Sequence, residues 1–306
     1  MNKSNLSNFM TVHEFINQVI EDKIILVHEG DLTRKIYEPG VSKAGVDFLD
    51  IKLERPRVKI IGTLELSLMK TATEEQLGKI FQDTPLVILT KNQILSDKAM
   101  KVAIKYNTSV FVSQMSSSLL SGYVYFEVSK RINPAISWHG VLLNVFGVGV
   151  IIQGQSGIGK SEIAIELVSR GHQLISDDRI IIREIYPGQL LGICPALTSS
   201  LLELRGVGVV SISDLYGAQT VAPEFQIDLI IQLEKYIEDK EYLRLIGHEV
   251  PENIFATQVS KKIIPVSTGR NMSAIIEAAV NNFILKKRNI KTGFEILEER
   301  LKNENK

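Results

Sequence analysis

Near the start of the chain, Val12, Phe15, Ile16, Val19 and Ile20 recur at helical spacing and predict one apolar helix face over residues 11–20. Two β-branched runs, residues 58–62 and 86–90, predict buried strands. Residues 74–81 and 96–106 predict helices, the second with Ser96 as N-cap and Asp97 in its first turn. Residues 110–112 predict a short strand. Strands alternating with helices give a small α/β domain over residues 1–132. Residues 116–134 read as a connecting region, a helix-like stretch from Ser116 to Lys130 broken by Asn133-Pro134. His13 and His28 stand apart from candidate catalytic partners and read as surface or core-packing residues, and this third of the chain holds no catalytic constellation.

The texture changes at residues 133–306, the expected second domain. Residues 141–146 predict a strand, Gly147-Val148-Gly149 a tight turn, and residues 150–153 a second strand. Residues 162–169 predict a helix stopped at Gly171, and residues 172–176 a strand ending on Asp177-Asp178. Trp138 reads as a core residue, with a role as an inter-domain anchor as the alternative.

Composition narrows the function classes. The chain has 306 residues, with 35 Lys plus Arg against 35 Asp plus Glu. This balance excludes nucleic-acid binding by bulk charge. Cys194 is the single cysteine, so no intrachain disulfide forms, and a reducing compartment is expected. Cys194 itself reads as a small buried residue. No apolar run approaches the roughly 18 residues of a membrane span. The first residues lack a signal-peptide core. A soluble cytoplasmic protein follows.

The candidate chemistry centres on Gly154, Gln155, Ser156, Gly157, Ile158, Gly159, Lys160 and Ser161, which match G-x-x-x-x-G-K-[ST]. Glycines there let successive N–H groups converge on phosphate oxygens. The following helix adds its positive end. Lys160 supplies a cation for β- and γ-phosphates, and Ser161 a hydroxyl for magnesium. Asp177 and Asp178, at a strand end returned beside this loop in a parallel sheet, are candidates to hold a metal or accept a proton. Their opposite facings predict different environments, and a solvated acidic turn is the alternative. Glu203, in Leu202-Glu203-Leu204-Arg205-Gly206-Val207-Gly208, reads as a metal ligand or as half of a surface ion pair. Arg244 lies in an apolar pattern and reads as a phosphate partner or an ion-paired arginine. Pro265 to Arg270 reads as a turn before a helix over residues 271–287, either an anion site or a plain loop. His139, at a strand start, faces the site or a sheet edge.

Together these residues resemble the HPr kinase/phosphorylase family. The resemblance rests on His139-Gly140-Val141-Leu142, Phe146-Gly147-Val148-Gly149-Val150, the phosphate loop followed by Glu162, Asp177-Asp178, Glu203-Leu204-Arg205-Gly206-Val207-Gly208, Gly269-Arg270-Asn271 and Ile275-Ile276-Glu277-Ala278-Ala279. The N-terminal match rests on Pro39-Gly40 and Ile61-Gly62-Thr63-Leu64-Glu65-Leu66. The resemblance implies a small N-terminal α/β domain and a C-terminal phosphate-loop (Walker A) kinase domain related to phosphoenolpyruvate carboxykinase. It implies a bifunctional enzyme that phosphorylates a serine of the phosphocarrier protein HPr with ATP or pyrophosphate. In reverse, inorganic phosphate removes that group and pyrophosphate is released. Carried over by motif, His139, Lys160, Asp178 and Arg244 are catalytic, with Asp178 as proton acceptor and donor. Ser161 and Glu203 serve magnesium, or manganese in its place. The segment holding Arg205, Gly206 and Gly208 serves both reactions, and that holding Pro265, Gly269 and Arg270 serves mainly dephosphorylation. Family members resemble hexamers, regulate carbon catabolite repression and sugar uptake, and in some cases respond to fructose 1,6-bisphosphate.

Three other readings share parts of this pattern. A small-molecule kinase keeps the phosphate loop and changes the acceptor. A nucleotide switch or motor would hydrolyse slowly by itself, but the Asn-Lys-x-Asp of guanine-specific switches is missing after the loop. A binding module would place its function in residues 1–132, where no ligand is identified.

Overall fold

The structure, a computed structural model, describes residues 8–19, 23–44, 56–236, 250–267 and 269–304. The chain forms two compact units that meet in sequence between Pro134 and Ala135.

The first unit contains β1 (Met10–Thr11), β2 (Ile24–His28), β3 (Lys35–Ile36), β4 (Val41–Lys43), β5 (Val58–Ile61), β6 (Leu86–Leu89) and β7 (Ser109–Ser113). Its helices are α1 (Val12–Gln18), α2 (Thr63–Thr71), α3 (Glu74–Phe81), α4 (Asp97–Lys105) and α5 (Ser117–Ile132). A five-stranded sheet runs in the order β2-β7-β6-β5-β4. The ladders from β4 to β7 are parallel and β2 is antiparallel. Alternate residues feed opposite faces, as the pleat requires. Ile60 and Ile88 pack with Phe15 and Val124, while Ile61, Val87 and Leu89 pack with Leu77, Phe81 and Val102. Helices therefore cover both faces of the parallel strands.

The predicted helix over residues 11–20 is α1, and Ile20 lies outside the described residues. Residues 116–134 are not a connector. Leu120, Val124, Val128 and Ile132 recur every fourth position along α5 and are buried in the first unit's core. The sequence pattern missed β2 because Ile25, Leu26 and Val27 are all exposed, so no alternation marks the strand. It missed α2 for a related reason, since Leu64 and Leu68 face solvent.

The second unit holds β8 (Ala135–His139), β9 (Val141–Val145), β10 (Val148–Gly154), β11 (Gln173–Ser176), β12 (Arg179–Tyr186), β13 (Gln189–Ile193), β14 (Leu201–Leu204), β15 (Gly208–Ser211), β16 (Glu224–Gln226), β17 (Leu229–Lys235), β18 (Val250–Ile254) and β19 (Thr257–Val266). Its helices are α6 (Lys160–Ser169), α7 (Ile212–Tyr216), α8 (Met272–Lys287) and α9 (Gly293–Glu304). The six-stranded sheet runs β11-β9-β10-β17-β19-β18. Ile152 and Ile231 pack on one face with Leu167 of α6 and Ile276 of α8. Ile151 and Ile230 pack on the other with Ile180, Ile182 and Leu190 of the four-stranded sheet β16-β13-β12-β8. Trp138 is a partly buried residue against that second core.

Two expectations change here. The turn between β9 and β10 is Phe146-Gly147, with φ of 55° and 81°, rather than residues 147–149. Two positive angles suit a two-residue hairpin whose twist matches its strands, and they leave Gly149 within β10. The sheet is also mixed rather than parallel. β10, β17 and β19 are parallel, but β9 runs antiparallel to both β10 and β11 and separates them. Because β9 reverses direction, β10 and β11 still point the same way, and their C-terminal ends share one edge.

Candidate active site

At that edge β10 ends on Gly154, close under β17, where a Cβ would meet the Leu233 carbonyl at 2.9 Å. Gln155, Ser156 and Gly157 are exposed, while Ile158 anchors the loop in the core beneath. Gly159 is the N-cap of α6, with φ of 97°, and no side chain closes the helix end. The first N–H groups of α6 are thus left for an anion. The helix begins at Lys160, two residues earlier than predicted, and Gly171 terminates it with φ of 97°. Lys160 Nζ donates to the loop's own carbonyls, Gly154 at 3.1 Å and Gln155 at 3.4 Å.

The two aspartates have opposite settings. Asp177 is 8% exposed. It accepts hydrogen bonds from the Ser161 hydroxyl at 3.3 Å and from the Glu203 N–H at 3.3 Å. Burial pushes its carboxyl above the ordinary carboxylate range, and these hydrogen bonds offset only part of that. The Asp178 side chain is 79% exposed, and its Oδ1 lies 2.8 Å from His139 Nδ1. The difference comes from the backbone as well as from strand alternation. β11 stops at Ser176, and Asp178 adopts φ of 65°, a left-handed conformation that aspartate tolerates better than most residues. His139 ends β8 rather than starting a strand, directly opposite Arg179, so the two strands bring it beside Asp178.

Glu203 and Arg205 belong to the β14–β15 hairpin. Leu202 is buried and Glu203 is exposed on the next position of the strand. The Asp177–Glu203 bond pins the hairpin base beside Ser161. Gly206 and Gly208 take φ of 86° and 98° at the tip. Arg205 reaches the phosphate loop, its Nη2 lying 3.1 Å from where a Gly157 Cβ would stand.

Other expected residues fall elsewhere. Arg244 lies outside the described residues. Pro265 is not in a turn, because β19 continues through Val266 in register with β17. Gly269 has φ of 83°, and Arg270 is exposed. Among the described residues, no hydrogen bond or ion pair joins the Arg270 side chain to the loop or the acidic pair. Asn271 caps α8, accepting from the Ala274 N–H at 2.9 Å. Glu162 is exposed in the first turn of α6. Cys194 is half-buried rather than buried, just past the end of β13. One network was not foreseen. His172 and Arg170 both bind Glu277, at 3.1 Å each, and Arg170 also binds Glu166 at 2.9 Å, tying α6 to α8. Its only sequence signal is the i,i+4 spacing of Glu166 and Arg170.

Among the described residues, no three His, Cys, Asp or Glu side chains converge as a closed metal site. Ser161, Asp177 and Glu203 instead offer a partial set of hard oxygen donors on adjoining elements. Magnesium takes such a set when phosphate oxygens and water complete its shell, so the residues fit that ion.

The family described as "HPr Serine kinase N terminus" matches residues 10–125, and "HPr Serine kinase C-terminal domain" matches residues 130–301. An HPr kinase/phosphorylase of Bacillus cereus (strain B4264) is 35% identical over 277 residues, covering 89% of each chain. One from Shouchella clausii (strain KSM-K16) is 36% identical over 282 residues, covering 90% of each. A solved structure of the Hpr(Ser) kinase/phosphatase from Coxiella burnetii is 32% identical, with a TM-score of 0.46, and covers 50% of this chain and 93% of that one. With two domain descriptions matched in order across most of its length, the chain belongs to the HPr serine kinase family.

Proposed function

We propose that this chain phosphorylates a serine of HPr, with ATP or pyrophosphate as donor, and catalyses the reverse phosphorolysis of seryl-phosphorylated HPr by inorganic phosphate. The observation that carries the reading is one sheet edge with an open phosphate loop beside an exposed carboxylate, Asp178, oriented by His139. The loop amides and Lys160 hold the phosphates and neutralise the transferred group. As the serine oxygen attacks phosphorus, Asp178 takes the hydroxyl proton, and the bond to the leaving group breaks, releasing ADP when ATP is the donor and inorganic phosphate when pyrophosphate is. In reverse, a phosphate oxygen attacks the phosphoserine, the seryl oxygen recovers the proton from Asp178, and pyrophosphate leaves. The exposure of Asp178 suits a protein-borne serine, which must approach from outside. Ser161 and Glu203, with Asp177 behind them, would hold magnesium, which when bound supplies charge neutralisation on the phosphate chain. The wider reading is a cytoplasmic hexamer that regulates sugar uptake and responds to fructose 1,6-bisphosphate.

The test incubates the protein with HPr, magnesium and ATP, then phosphoserine-HPr with phosphate. Phosphoserine in the first reaction and pyrophosphate in the second are expected. Asp178→Asn should depress both by about a hundredfold or more. Phosphorylation of metabolites but not HPr, or an unimpaired Asp178→Asn variant, would overturn it.

A further inference from the structure

Gln153 directly precedes Gly154 on β10 and has no part in the chemistry above. The pleat puts it on the same face as Ile151, which is fully buried with Ile230 in the core against the four-stranded sheet. An aliphatic side chain would continue that run, yet the chain places an amide there. Gln153 is 8% exposed, and among the described residues its side chain has no hydrogen-bond partner. Its register partner on β17 is a second glutamine, Gln232, whose Nε2 donates instead to the Leu233 carbonyl at 3.2 Å. Buried amides in folded proteins are nearly always paired. An unpaired one at this edge has its complement in a group that arrives from outside.

The fold determines which side of the site this amide serves. Ile152 pairs with Val141 of the antiparallel β9, so Gln153 comes opposite Gly140. A Cβ at Gly140 would stand 3.5 Å from Gln153 Cγ and 2.8 Å from the Ile152 carbonyl, so only glycine admits this approach. Gly140 follows His139, and its N–H donates to the Asp178 carbonyl at 3.2 Å. Gln153 therefore lies against the backbone link between His139 and Asp178. The phosphate loop is on the other side of β10, where Ile152 and Ile158 share a core with α6. The chemistry points the same way. Phosphate oxygens accept and need donors alone, whereas an amide both donates and accepts, which matches a peptide group.

We propose that Gln153 is an acceptor-binding residue, its amide hydrogen-bonding the main chain beside the serine to be phosphorylated and so setting the hydroxyl at Asp178. This rests on the reading of a protein-borne serine as acceptor. Gln153 touches no reacting atom and moves no proton. It acts on how the acceptor segment is held, and the donor phosphates are bound without it.

The test compares wild type, Gln153→Leu and Gln153→Asn in the full chain. Gln153→Leu should melt at or above the wild-type temperature, because it removes an unpaired buried amide. Calorimetric affinity for magnesium pyrophosphate should stay within about twofold of wild type in both variants. With ATP, KM for HPr should rise about tenfold in Gln153→Leu, with kcat falling by less. The rise should be smaller in Gln153→Asn, which keeps a shorter amide. A residue that only props the strand would instead lower the melting temperature and disturb both substrates alike. An unchanged KM for HPr in Gln153→Leu, or a loss confined to pyrophosphate, would overturn the proposal and leave the function standing. A wild type that binds pyrophosphate but leaves HPr unmodified would overturn the function and this assignment together.

Discussion

Gly62-Thr63-Leu64-Glu65 and Gly159-Lys160-Ser161-Glu162 hold corresponding places in the two units. Each glycine is the N-cap of a helix beyond the C-terminal end of a buried strand, and each glutamate is the third helical residue. The outcomes are opposite. The Gly62 N–H donates to Glu65 Oε2 at 3.0 Å, so the first unit closes its helix end with its own carboxylate. Gln93 donates to Thr63 Oγ1 at 2.8 Å, and Thr90 and Ser117 lie 3.5 Å apart, so the polar groups at that edge serve each other. Gly159 has no such closure. The backbone accounts for the difference, because Gly62 is extended at φ −101° whereas Gly159 is left-handed at φ 97°. A strand end, a glycine and a helix start do not make an anion site unless the backbone turns the amides outward and leaves them unclaimed.

The sharpest test of the contrast removes the cation that only the second unit has. Lys160→Ala should lower kcat for HPr phosphorylation by roughly a thousandfold, about 4 kcal/mol of transition-state stabilisation. Its melting temperature should stay close to wild type, because among the described residues Lys160 Nζ bonds only to loop carbonyls. A variant that retained a tenth of the activity would mean that the open amides suffice without it.

The next test separates stability from chemistry. Leu120→Ala, in α5, should cost about 2–5 kcal/mol on unfolding of the first unit, read as a lowered denaturation midpoint. A connector would lose almost nothing, so a change below about 0.5 kcal/mol would restore that reading of residues 116–134.

These residues also show how far the sequence could be read. The phosphate loop was legible because its function demands residue types at fixed spacing, and the periodic helices α3 and α4 because their apolar stripes are buried. The four-residue spacing along α5 is also present in the sequence, but it runs straight into the Asn133-Pro134 break, a mark shared by helix ends and by linkers. The partnership of Ser161, Asp177 and Glu203 was not legible. It depends on the antiparallel β9 slipping between β10 and β11 and on the Asp177–Glu203 bond, neither of which leaves a local mark. Arg205 on Gly157 was hidden for the same reason, since a contact across nearly fifty positions is set by tertiary packing.

A smaller effect is expected at the closed helix end. Glu65→Ala removes the partner of the Gly62 N–H and should cost about 0.5–2 kcal/mol of stability, measured by chemical denaturation, with kinase activity unchanged. If the variant also gained a second pyrophosphate site by calorimetry, the carboxylate rather than the glycine's backbone angle would be what separates the two edges. No gain is expected, because the extended Gly62 does not turn the helix amides into a loop.

The smallest effect concerns Asp177, whose burial raises its carboxyl above the unfolded value of about 3.9. Between that value and the raised native one, the folded state binds more protons than the unfolded state, so this group's contribution to stability declines as pH rises through the window. Above the window, folding holds an ionised carboxylate in a buried place. Asp177→Asn lacks the titration. Its melting temperature relative to wild type should therefore climb by roughly a few degrees between pH 4 and pH 7, while HPr phosphorylation falls. A difference that stayed flat or declined would mean that the hydrogen bonds from Ser161 and Glu203 outweigh burial. An acid buried against both the loop serine and the β14–β15 hairpin, with burial working against its charge, is the arrangement expected where stability is given up for the phosphate and metal site proposed above.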